Sequence, residues 1–208
     1  MLELALTAFV TLFIVIDPPG MAPVFAVLTE DGDAKYRRTM AVKGSLIAAL
    51  ILVFFGFAGE PFLKALGISM DAFRAAGGFM LFVMAIEMVF EKRSERRKKS
   101  TENVQQEHQA PDDISVFPIA VPLLAGPGAI TSILLLMSGA RNIEEQGIIM
   151  GSMLVIILIA MITFMAAAWL IKIMGKTVAN IITRVLGVVL AALAAQYMLD
   201  GIKGALSL

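Results

Sequence analysis

Six apolar stretches, separated by short polar turns and one long charged segment, set the pattern of this chain. They fall near residues 4–28, 40–58, 72–90, 116–138, 147–171 and 179–199. A helix needs about 20 residues to cross a hydrocarbon layer of about 30 Å, and each stretch meets that length. Two of the six are interrupted by helix breakers, at Asp17-Pro18-Pro19-Gly20 and at Ala125-Gly126-Pro127-Gly128. Proline lacks the amide that a helix interior requires, and glycine adopts unusual dihedrals without penalty. Each site is therefore expected to unwind roughly a turn inside its span.

The breaks are in register. Placing Gly20 over Gly128, a shift of 108 residues, puts Phe62-Leu63-Lys64-Ala65-Leu66-Gly67 on Leu170-Ile171-Lys172-Ile173-Met174-Gly175. With a slip of two, Arg74-Ala75-Ala76-Gly77 falls on Arg184-Val185-Leu186-Gly187. The pattern predicts an all-α integral membrane protein with six transmembrane helices in two three-helix repeats, helices 1 and 4 being broken. Residues 1–90 form the first repeat, 91–113 a charged linker and 114–208 the second repeat. A repeated bundle with breakers at matching depth is the sequence outline of a secondary transporter.

Composition agrees. Hydrophobic residues make up 59% of the chain and charged ones 16%, and the mean hydropathy is +0.86. A soluble domain of this size cannot hide that much apolar surface. Lys plus Arg balance Asp plus Glu at 17 each, which leaves no basic field for nucleic acid. Cysteine is absent, and the single histidine, His108, stands in the polar linker. Thiolate chemistry is excluded, no catalytic set or metal site emerges, and no cofactor is implied. The first apolar stretch follows Glu3 rather than a basic segment, unlike a signal peptide.

The basic residues orient the bundle. Lys35, Arg37, Arg38 and Lys43 follow span one, six Lys or Arg lie between Lys92 and Lys99, and Lys172, Lys176 and Arg184 follow span five. The opposite side holds only Lys64, Arg74, Arg141 and Lys203. The positive-inside rule then puts the linker in the cytoplasm and both termini outside it. Three spans per half make the second repeat run inverted to the first.

Candidate chemistry sits at the breaks. An unwound turn in hydrocarbon frees backbone groups that cost several kcal/mol each unless something satisfies them. Two facing breaks can do so through a bound zwitterion, half-helix amides taking its carboxylate and free carbonyls its ammonium. Substrate-binding candidates are Asp17, Pro18, Pro19, Gly20, Ala125, Gly126, Pro127, Gly128, Thr131 and Ser132. The alternative is a pair of proline kinks that only shape the helices; recurrence at equal depth favours the site. Asp17 and Glu87 are the acids within spans and the candidates for coupling to protons or sodium. Glu87 stands near a span end, where it can simply reach water. Gly128, after a proline, is expected to leave backbone open to a ligand. Gly77, Gly78 and Gly187 are expected to let helices pack closely.

A specific resemblance rests on Asp17-Pro18-Pro19-Gly20 followed by Pro23-Val24-Phe25, and on Leu66-Gly67-Ile68-Ser69 leading to Phe73-Arg74-Ala75-Ala76-Gly77-Gly78. In the second half it rests on Pro122 to Ile130, Ile182-Thr183-Arg184 and Gly201-Ile202-Lys203-Gly204. On these residues the chain resembles the MarC family of membrane proteins, and through it the lysine-exporter superfamily. The resemblance implies a cell (inner) membrane carrier for small neutral amino acids such as alanine, glycine, serine or threonine, with export favoured. It also implies that Asn is tolerated at Asp17, which ranks a cap or substrate contact there above a proton carrier. Membrane lipid is the expected surrounding, and a homo-oligomer is compatible with everything above. An intramembrane enzyme lacks its base, and only Asp17 and Glu87 could serve a metal carrier, so the small-solute carrier that the resemblance implies leads, with a non-transporting membrane protein or an ion or metal transporter as the alternatives.

Overall fold

The protein, a computed structural model, is described over residues 1–90 and 113–206. Apart from Asp113, the expected linker at 91–113 lies outside the described residues, as does His108.

Among the described residues eight helical segments follow one another: α1 Leu2–Ile16, α2 Pro18–Leu28, α3 Ala34–Ala65, α4 Met70–Val89, α5 Ser115–Leu124, α6 Pro127–Ser138, α7 Ile143–Met165 and α8 Ala167–Ala205. Their starts are written locally. Asp33, Ser69 and Asn142 stand before α3, α4 and α7, and each accepts a backbone amide of the first turn, at 2.7, 3.1 and 2.9 Å. Such caps satisfy amides that a helix start leaves without partners. Before α4, the turn between α3 and α4 bends through Gly67, whose φ of 72° suits glycine.

By length and composition, Leu2–Leu28, Ala34–Ala65, Met70–Val89, Ile143–Met165 and Thr177–Ala205 can each cross a membrane. Ser115–Leu124 and Pro127–Ser138 supply a sixth span if taken together, although they meet at 56°. Five of the six expected spans are present as such, the fourth is this bent pair, and two expected boundaries are corrected. Span five, expected over 147–171, stops at Ala166. The loop expected before span six is helical, so that α8 runs 39 residues and absorbs it. No proline interrupts that stretch, whereas Gly67 turns the chain at the matching place in the first half.

The interior is built from α1, α2, α6 and α7, whose Leu12, Ile16, Met21, Phe25, Ile133 and Phe164 are buried. Phe25 and Phe164 stack with ring centroids 4.5 Å apart, which fastens α2 to α7. Outward faces carry Leu50, Phe54, Phe79, Val185 and Val188, all exposed, as a lipid-facing surface requires. The most extensive helix pair is α4 on α8. A Cβ on Gly78 would lie 2.7 Å from the Met198 amide nitrogen, and one on Gly187 2.8 Å from the Cβ of Met88. Without hydrophobic drive between helices in lipid, such close approach is what holds the pair. Gly77, expected as a packing glycine, faces the Thr131 methyl of α6 in the same way.

Candidate functional site

The first break is one residue long. Asp17 ends α1 in the left-handed region, at φ 56° and ψ 61°. Asp tolerates that conformation better than most residues. Pro18 and Pro19 then occupy the first positions of α2, where a missing amide costs nothing. The Asp17 carboxylate, fully buried, accepts the Gly20 amide at 3.2 Å and so caps the helix it precedes. The Thr183 hydroxyl of α8 donates to both carboxylate oxygens, at 3.2 and 3.3 Å. Gly20 is the residue that lets these groups close up, because a Cβ there would overlap the carboxylate and lie 2.6 Å from the Thr183 oxygen. The expected unwound turn is thus a single turning residue with its polar group satisfied.

The second break is longer and starts earlier than expected. Within α5, Phe117 (φ −127°, ψ 125°) and Val121 (φ −126°, ψ 124°) are extended, and each precedes a proline, Pro118 and Pro122. Proline pushes its predecessor out of the helical region, which accounts for both. The remaining turns are wide: the Ile119 amide donates to the Ile114 carbonyl at 3.3 Å, and Ala125 to Ala120 at 2.8 Å. Gly126 precedes α6 in an extended conformation with no side-chain cap, and Pro127 opens the helix. Thr131 and Ser132 follow on its first turns, both buried, and the Ser132 hydroxyl has no hydrogen-bond partner among the described residues. A buried hydroxyl in that state costs on the order of 1–3 kcal/mol, which a bound polar molecule would recover.

The two breaks lie side by side. A Cβ on Gly128 would lie 3.3 Å from Val15, two residues before Asp17, and 2.6 Å from the Met84 methyl of α4. Gly128 is therefore a packing position rather than open backbone, and Asp17 and Gly67 are the described residues with positive φ. Met84, at the end of a flexible side chain, fills the space expected for a ligand.

Glu87 is half-buried on α4, one turn after Met84, and has an interaction partner. Thr183 is the site residue that spacing did not single out; its signal was the Ile182-Thr183-Arg184 motif, whose partner across the fold is invisible in one sequence. Ser45 of α3, another buried hydroxyl without a hydrogen-bond partner among the described residues, carried no signal. Among the described residues no three His, Asp or Glu side chains converge as a metal would need.

Outside the spans, Asp113 leads into α5. Its carboxylate accepts from the Ser115 hydroxyl, from the Ser115 amide at 3.1 Å and from Lys43 of α3 at 2.9 Å. The Ser115 hydroxyl first, then Lys43, lower its pKa from 3.8 to about 2.

Residues 2–206 match the profile of the MarC family integral membrane proteins. The chain belongs to the MarC family. A UPF0056 membrane protein of Methanocaldococcus jannaschii is 35% identical over 205 residues, covering 99% of this chain and 98% of that protein. The UPF0056 membrane protein YhcE of Escherichia coli is 34% identical, over 94% of this chain and 90% of its own length. YvbG of Bacillus subtilis is 32% identical, over 94% and 92%. No solved structure matches the chain.

Proposed function

We propose that this MarC family protein is a carrier for small neutral solutes, namely neutral amino acids such as alanine, glycine, serine and threonine. The observation that supports it best is the meeting of two helix breaks in the bundle interior, with a buried carboxylate at one and an unbonded buried hydroxyl at the other. Asp17 supplies a negative contact and Ser132 a neutral one, matching a zwitterion of small size. The two repeats, inverted relative to each other, rock around this point, and the bent second span is the part that moves. A proton or sodium gradient drives export through the cell membrane.

Counterflow of labelled alanine into proteoliposomes preloaded with unlabelled alanine tests the reading. Accumulation that glycine and serine inhibit is expected; its absence in protein shown to be folded overturns the carrier. Orientation is tested separately in intact cells with single cysteines, Asp31→Cys and Glu144→Cys, in this cysteine-free chain. An impermeant thiol reagent is expected to reach position 144 and not 31. The reverse labelling places the termini in the cytoplasm.

A further inference from the structure

A cavity lies between the ends of α3 and α6 and the start of α7. Its volume is about 300 Å³, the lower end of the range of roughly 300–1,000 Å³ typical of small-molecule sites. Leu134 and Met137 of α6 give it an apolar floor. The rim is polar and two-signed. Glu60 and Lys64 stand one turn apart on α3, paired at 2.7 Å, with side chains 37% and 69% exposed, so solutes reach both. Ser138 and the Gln146 amide face them from α6 and α7.

The backbone adds an acceptor. Pro61 lies inside α3 and lines the cavity together with Phe57. Proline has no amide to give the carbonyl one turn earlier, so the Phe57 oxygen is left without its helical donor beside the Glu60 carboxylate. Two acceptors, a carboxylate and a carbonyl, thus stand next to an ammonium and an amide. An i,i+4 ion pair at a helix surface is ordinary and by itself marks no site. A pair set over an apolar floor, with a proline-freed carbonyl at its side, is a complement for both charges of a zwitterion.

We propose that this cavity is a binding site for a small zwitterion, an ammonium held by Glu60 and the Phe57 carbonyl and an anionic group held by Lys64 and Gln146. It stands about 30 Å along α3 from Lys43, at the opposite end of the bundle from the Lys43–Asp113 pair. It is separate from the breaks and independent of them. A free amino acid and a zwitterionic lipid headgroup share this chemistry.

The test is local to the cavity. The chain has no cysteine, so Phe57→Cys places one thiol at the rim of the purified full-length protein in detergent. Alanine is expected to slow its alkylation, whereas propionate and ethylamine, each with one of the two charges, are not. Glu60→Gln or Lys64→Gln in that background should raise the half-protecting concentration about tenfold. Protection by short-chain phosphatidylethanolamine and not by alanine upholds the zwitterion site and makes lipid its occupant. Equal protection by the singly charged compounds, or none by either zwitterion, overturns it. Should Phe57→Cys elute as aggregate, Ser138→Cys, on the cavity lining from α6, gives the same readout. Alkylation reports on this cavity alone, so failed counterflow and failed protection are distinguishable results.

Discussion

The two helix breaks share a vocabulary of proline and glycine but differ in how they are finished. At the first, one left-handed residue turns the chain, its side chain caps the next helix, and Thr183 arrives from α8 to complete it. Leu2–Leu28 still reads as one 27-residue span. At the second, two extended residues loosen α5, the next helix has no side-chain cap, and the axis bends by 56°. The difference lies in where the prolines fall. Pro18 and Pro19 sit at a helix start, where no donor is needed, whereas Pro118 and Pro122 sit in the approach and remove donors from it. A break is therefore closed or loose according to which side of it the prolines occupy. The loose one leaves a bend of 56° in its span, and the closed one holds a buried carboxylate.

The largest expected effect separates the glycines. Gly20→Ala drives a methyl into a carboxylate held from two sides and should cost about 2–3 kcal/mol. Gly128→Ala meets the far end of Met84, which can swing aside, and should cost less than about 1 kcal/mol. Thermal unfolding of both variants in one detergent measures the pair. Equal losses would mean that the second break is packed as rigidly as the first.

The polar groups give a smaller, opposed pair. Asp17→Ala removes a cap and the acceptor of Thr183, and is expected to cost about 1–2 kcal/mol. Asp17→Asn keeps an acceptor and should hold transport within about tenfold, or 1.4 kcal/mol. If pH-driven flux vanishes in Asp17→Asn while exchange survives, Asp17 carries the coupling proton. Ser132→Ala deletes a buried hydroxyl with no partner among the described residues, so stability should rise, by up to about 1–3 kcal/mol. Solute affinity should fall about tenfold in the same variant if that hydroxyl faces the ligand. A Ser132→Ala protein as unstable as Asp17→Ala would show the second break to be finished after all, by groups other than those described.

The smallest effect concerns how the second broken span begins. The Asp113 carboxyl sits at about 2 in the fold, below its ordinary 3.8. A depressed carboxylate stabilises the fold above the unfolded value, and that contribution disappears as pH falls through 3.8 toward 2. Unfolding followed between pH 5 and pH 2 should therefore show a loss that Asp113→Asn lacks. The group is exposed, so salt should shrink the effect further. An unchanged acid profile in Asp113→Asn would remove this anchor from the comparison.

The membrane class, the broken spans and the places of the breaks follow from the sequence by itself, because lipid demands long apolar helices and because proline acts on its own neighbours. So do the caps at Asp33, Ser69 and Asn142, which bond within three residues. The extent of each break did not follow. Asp17 reads alone as an expensive buried acid, and only the packing of α8 brings Thr183 to it across 166 residues. Gly128 reads as room for a ligand, yet Met84 occupies it from a helix that no local pattern connects to the break. The continuation of α8 through the expected loop belongs to the same class, since α2 as well as α4 packs on that helix. Short-range bonding is settled by neighbours in the chain; which side chains meet in the interior is settled only when the helices pack.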